Sequence, residues 1–214
     1  MYTLYIYNIK RMLKKQNSRE KKHFYVCSCG GSGSYMLTYA LKKYGNVYHV
    51  HTRVPPNELK YAKHDMFTDE KVPPECINNH YVIYLYRNPA RVLCTGVFNG
   101  QDRIRHLKNI QSPDTESTVD DIILYKEDLY GLCDFYKNYT SINKCFNYKI
   151  ICVKFEDLFK KKDELSAFLN VGPLNLRMKS NIYVDSRYEE LVDIYEPLIN
   201  EMETKESIFL AGNV

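Results

Sequence analysis

Long apolar runs are missing from this chain: none of its 214 residues belongs to a stretch approaching the roughly 18 to 20 uninterrupted apolar positions of a membrane-crossing helix. The order of an export signal is missing too, because in MYTLYIYNIKRMLKKQ the basic residues follow the apolar ones instead of preceding them. A soluble, intracellular protein is therefore expected. Metal-ligand spacing is lacking as well. The seven cysteines stand at 27, 29, 76, 94, 133, 145 and 152, an odd number with no repeated CxxC pair and no neighbouring histidine set, which predicts reduced thiols and no structural metal. Nor does one sign of charge dominate. Thirty Lys and Arg against 26 Asp and Glu leave +4, too little for a nucleic-acid footprint, although a local anion site stays open. Asn138-Tyr139-Thr140 fits the glycosylation pattern, but with no export signal chance is the better explanation.

What is present suits one hydrophobic core, with 44% apolar residues on a length too short for two cores. Residues 9–22 are basic and polar with little apolar periodicity, so 1–22 read as a leader or surface helix and 23–214 as one domain. Four short runs rich in aromatic and β-favouring residues, at 23–29, 46–52, 81–87 and 148–156, have the composition of buried parallel strands. Between them, helical spacing appears from Ser34 to Tyr44, Asp121 to Asn138, Asp163 to Asn170 and Tyr188 to Met202. Strands alternating with crossover helices predict an α/β fold, a parallel sheet covered on both faces. The polar segment from Asn99 to Ser117 reads as an exposed connection able to shape a substrate cleft. No internal repeat or interdomain linker is evident.

The informative stretch is Tyr25-Val-Cys-Ser-Cys-Gly30-Gly31-Ser32-Gly33-Ser34-Tyr35, a strand, a glycine-rich turn and a helix start in succession. Glycines admit positive φ and close backbone approach, so consecutive N–H groups can face one concavity at a helix N-terminus, where the dipole also favours an anion. Ser32 and Ser34 add hydroxyls. A Ser/Gly helix cap that binds nothing is the equal alternative from this loop alone. A kinase or ATPase P-loop of the form GxxxxGK[ST] is disfavoured, since Ser34 and no Lys follows Gly33.

The loop resembles the phosphosulfate loop of sulfotransferases, [KR]-S-G-[TS]-[TS]: Ser32-Gly33-Ser34 falls on its core, Tyr35 on the last hydroxyl position, and Gly31 where the family has a Lys or Arg. Two further segments follow in the family's order. Tyr86-Arg87-Asn88-Pro89 is similar to its strand ending in Arg-[ND]-Pro, and Thr95 keeps a hydroxyl eight residues beyond Arg87. In the family these two hold the donor's 3′-phosphate, a task for which a planar guanidinium fork is suited. Taken alone, Arg87 would be a strand-end ion-pair partner for Glu156 or Asp157. Tyr48-His49-Val50-His51-Thr52-Arg53 resembles the region around the family's catalytic histidine, with His51 as the candidate base and His49 in place of a Lys. Strand alternation puts His49 and His51 on one face, where the plain alternative is a hydrogen-bonded pair at a sheet edge. Arg53 is the candidate for the missing cation. Phe155-Glu156-Asp157-Leu158 and the segment from Tyr188 to Leu198 resemble structural parts of the family, whereas the C-terminus from Ile208 lacks its Arg-Lys-Gly closure.

The resemblance, over about 23–202, implies a three-layer αβα domain with a central parallel sheet of the P-loop NTPase-like sulfotransferase fold. It implies sulfuryl transfer from 3′-phosphoadenylyl sulfate (PAPS) to a hydroxyl or amine, without metal. The implied donor-binding set is Gly30, Gly31, Ser32, Gly33, Ser34, Tyr35, Arg87 and Thr95, and the implied catalytic set is His51, His49 and Arg53. The acceptor is left open among carbohydrate, phenol and peptide tyrosine, and the oligomeric state is not legible. Two rivals stand: a catalytically silent relative that binds nucleotide or a partner, and an atypical P-loop kinase.

Overall fold

The computed structural model describes residues 21–100, 102–141, 145–177 and 185–211; most of the segment expected to be a leader, and the chain beyond Ala211, lie outside them. The strands in chain order are β1 (Lys22–Cys27), β2 (Gly45–Val50), β3 (Lys60–Lys63), β4 (Met66–Lys71), β5 (His80–Tyr86), β6 (Ile150–Lys154) and β7 (Ile208–Ala211). Five of them form one sheet in the order β2-β1-β5-β6-β7, parallel except for β7, which runs antiparallel to β6. The chain is thus α/β with a mostly parallel central sheet flanked by helices.

The two-residue period of a strand explains why the central runs are apolar throughout. Tyr25, Cys27, Val82, Tyr84, Tyr86, Ile150 and Cys152 belong to one buried cluster, and the intervening Phe24, Val26, Ile83, Leu85, Ile151 and Val153 belong to another. The second cluster is closed by Leu37, Ala40 and Leu41 of helix Ser34–Leu41 and by Leu165 of helix Lys162–Phe168. The first is closed by Leu132, Phe135, Tyr136 and Tyr139 of helix Leu132–Thr140, and by Leu191, Leu198 and Met202 of helices Tyr188–Ile194 and Glu196–Thr204. Among the described residues no helix is long and apolar enough to cross a membrane.

Three expectations are corrected. The helix expected from Asp121 to Asn138 is two, Val119–Tyr125 and Leu132–Thr140. The first opens on a reciprocal Thr118/Asp121 cap and stops at Lys126, which is left-handed at φ 53°. The second starts after Gly131, also left-handed, where a Cβ would fall 2.5 Å from the Arg53 guanidinium. The helix expected from Tyr188 to Met202 breaks at Tyr195, because Pro197 lacks an N–H and sits in the first turn of the next helix. Between Asn99 and Ser117 the chain is not a plain connection: it contains helix Arg103–Asn109, and Leu107 and Ile110 are fully buried. The β3–β4 hairpin and the edge strand β7 are elements that the sequence patterns do not announce.

The topology fixes where a ligand fits. From β1 the chain moves outward to β2, then returns to the other side of β1 to enter β5. Connections leaving the carboxyl ends of β1 and β5 therefore diverge, opening the crevice at which open α/β sheets bind ligands. The glycine loop follows β1 at that crevice, and Arg87 follows β5.

Candidate functional site

Three glycines shape the loop after β1, with φ of 92° at Gly30, 63° at Gly31 and 72° at Gly33. Each also yields to a neighbour. A Cβ would lie 2.2 Å from His106 Nε2 at Gly30, 2.8 Å from Thr95 Oγ1 at Gly31, and 2.2 Å from the Phe155 ring at Gly33. The family resemblance expects Lys or Arg at position 31. A positive φ beside Thr95 explains why this loop carries none there.

The loop's hydroxyls are turned onto its own frame. Ser32, fully buried, donates to Gly30 O at 3.0 Å. Ser28 accepts from the Gly30 N–H at 3.3 Å and donates to Ser34 Oγ at 2.9 Å, and Ser34 Oγ lies 2.7 Å from His49 Nε2. Ser34 Oγ thus joins Ser28 to the His49 ring. The backbone behaves differently. Among the described residues no hydrogen bond engages the N–H groups of Gly31, Ser32, Gly33, Ser34 or Tyr35, at the start of helix Ser34–Leu41. Open amides there, aided by the helix dipole, can hold an anion. The Tyr35 side chain is exposed and meets His49 only edge-on, at 6.4 Å between ring centroids.

Arg87 reaches this loop. Its Nη1 donates to Gly31 O at 3.0 Å, and the guanidinium lies over the Phe155 ring, 4.7 Å from its centroid. Its Nε is 3.8 Å from Glu156 Oε1, too long for a hydrogen bond, and has no hydrogen-bond partner among the described residues. Thr95, beside Gly31, donates to Val92 O at 2.7 Å. The loop, Arg87 and Thr95 are thus gathered at one place.

His49, within β2, and His51, just after it, also meet, with rings 4.3 Å apart and edge-on. His51 Nδ1 bonds Ser28 O at 2.7 Å, and a carbonyl can only accept, so Nδ1 carries the proton and Nε2 is left as a bare lone pair. Burial, then the neighbouring His49, push His51 down to about 4. Burial lowers His49 as well. A third imidazole, His106, completes the group; sequence reasoning misses it, because it lies inside the polar 99–117 segment. Its Nε2 donates to Cys29 O at 2.6 Å, its ring is 4.9 Å from that of His51, and burial lowers it too.

Arg53, expected as the missing cation, is held by backbone carbonyls. It donates from Nε to Gln111 O at 2.8 Å, from Nη1 to Gly131 O and from Nη2 to Tyr130 O, so its guanidinium pins the turn that starts helix Leu132–Thr140. Three of its five N–H donors are thereby taken by carbonyls. Beside His51 and His106 opens a cleft of about 400 Å³, also lined by Asp65, Gly96, Val97, Gly100, Asp102, Arg105 and Asn109. Among the described residues no group of three or more His, Cys, Asp or Glu side chains is arranged to hold a metal ion. Compared with protein-family models, curated proteins and solved structures, the chain matches none.

Proposed function

We propose that this protein is a P-loop-like sulfotransferase, moving a sulfuryl group from 3′-phosphoadenylyl sulfate to a hydroxyl or amine acceptor. One observation carries the reading: at the crevice where the strand order reverses, the unengaged N–H groups of Gly31 to Tyr35 stand beside Arg87, whose Nη1 lies 3.0 Å from Gly31 O. In this scheme the loop amides hold the 5′-phosphosulfate, and Arg87 with Thr95 takes the 3′-phosphate. His49 keeps Ser34 in place, and His51 Nε2 receives the acceptor's proton. An anionic donor next to His51 raises that imidazole from its depressed free value toward a useful base. Catalysis then rests on positioning and on preorganised dipoles.

Arg53 supports a second reading. Because its guanidinium is committed to carbonyls of residues 111, 130 and 131, the loop has no evident substitute for the family's cation on the leaving phosphate, which fits a silent relative that binds nucleotide without turnover. Titration calorimetry separates the cases. Adenosine 3′,5′-bisphosphate is expected to bind more tightly than magnesium-ATP, and the reverse order would favour a kinase. Labelled-sulfate transfer onto a panel of carbohydrates, phenols and peptides then distinguishes an enzyme from a silent binder.

A further inference from the structure

We infer that the cleft beside His51 binds an aliphatic, polyhydroxylated ligand without negative charge. That this ligand is the acceptor rests on the function proposed above; that it binds does not.

The hydrogen bonds behind the cleft wall decide its chemistry. His51 and His106 each give their single N–H to a loop carbonyl, Ser28 O and Cys29 O, so each ring keeps one unprotonated nitrogen that can only accept. The turn of the β3–β4 hairpin is clipped to the same strand end by the His51 N–H to Asp65 O bond of 2.7 Å, which brings Asp65 to the wall. Among the described residues the Asp65 carboxylate has no salt-bridge partner, whereas Arg105 lies 3.8 Å from Asp102. Two bare imidazole nitrogens stand on a wall where two carboxylates, Asp65 and Asp102, outnumber one guanidinium, Arg105, so acceptors and negative charge prevail. Such a surface is satisfied by O–H donors and repels anions. Among the described residues no Phe or Tyr side chain lines the cleft, so a phenol finds no ring of that kind among them to stack on. A volume of about 400 Å³ is within the range of small-molecule sites.

In the transfer step the acceptor oxygen bonds to sulfur as the bond from sulfur to the bridging phosphate oxygen breaks. The acceptor's proton passes to His51 Nε2, and adenosine 3′,5′-bisphosphate leaves with the electron pair.

The test uses the full chain without nucleotide, following the imidazole resonances of His51 and His106 by NMR as methyl α-glucopyranoside, glucuronate and 4-nitrophenol are added separately. The glucopyranoside is expected to shift both rings saturably, with affinity about tenfold or more above the other two. Gly96→Leu supplies a blocking variant, because a Cβ at Gly96 meets nothing within 4 Å and a larger side chain extends into the cleft. It is expected to abolish the response while the unfolding temperature is retained. No saturable shift with the sugar, a shift that survives Gly96→Leu, or tighter binding of 4-nitrophenol would overturn the assignment. Adenosine 3′,5′-bisphosphate, titrated in parallel, is the independent arm: if it fails to bind, the sulfuryl-transfer reading falls and the sugar site is judged on its own response.

Discussion

Arg53 and Arg87 lie just beyond the two strands that flank β1, and their surroundings divide them. Arg53 donates to the carbonyls of Gln111, Tyr130 and Gly131 and is 9% exposed. Arg87 makes one hydrogen bond, to Gly31 O, and keeps a buried Nε without a hydrogen-bond partner among the described residues. A guanidinium held from Nε, Nη1 and Nη2 by three carbonyls is part of the frame. One with donors left over beside open backbone amides is poised for something from outside. The same contrast separates the two nitrogens of His51, one committed to Ser28 O and the other bare.

The sharpest way to break this comparison is to remove Arg53. Arg53→Ala orphans three carbonyls around a helix start and is expected to cost roughly 3–5 kcal/mol of stability, measured by urea unfolding. A loss below about 1 kcal/mol would mean that water replaces the guanidinium and that Arg53 is not structural.

Acid tests the committed nitrogens. His51 is held at about 4 in the folded chain against an ordinary value of 6.5, so the unfolded chain binds more protons between these limits. Its contribution to stability is complete above about pH 6.5 and lost as pH falls toward 4, on the order of 3 kcal/mol for this group alone, with His49 and His106 shifted the same way. His51→Gln, which can still donate to Ser28 O, is expected to flatten that acid limb in unfolding measured from pH 7 to 4. An unchanged slope would place the titration elsewhere.

Arg87→Met gives the smallest structural effect and the clearest functional one. Stability is expected to move by no more than about 1 kcal/mol, because one partly exposed hydrogen bond is lost. Affinity for adenosine 3′,5′-bisphosphate is expected to fall about tenfold to a hundredfold, as for a lost charge-assisted contact. Equal losses in both measurements would erase the distinction from Arg53.

The strands are the most legible part of the chain. Phe24 to Cys27, Val82 to Tyr86 and Ile150 to Val153 are apolar at every position because helices cover both sheet faces, and that pattern needs no tertiary knowledge. The hairpin from Lys60 to Lys71 is not legible, since most of it is half-buried or exposed and its alternation is correspondingly faint. Strand β7 is four residues long and gains its identity only from pairing with β6. At the site, the glycine loop, Arg87, Thr95 and the pair His49/His51 stand out because their chemistry is local to short segments. His106 does not. It reaches Cys29 O from 77 positions away, and nothing in the polar run around it indicates that the ring will cover Gly30. For Arg53 the limit is complementary: proximity in sequence to His51 says nothing about which carbonyls the fold will bring to it.

The tyrosines that fill one face of the sheet have an optical consequence. The chain has no tryptophan and 20 tyrosines, and burial drives the phenols of Tyr25, Tyr86, Tyr136 and Tyr195 well above the usual range. Those groups ionise only when the face opens, so the rise in ultraviolet absorbance that marks tyrosinate formation in alkali reports the loosening of this layer. The exposed Tyr35 and Tyr39, on helix Ser34–Leu41, sit outside that layer. Alkaline colour in this protein thus divides into a surface fraction and a fraction tied to the sheet itself.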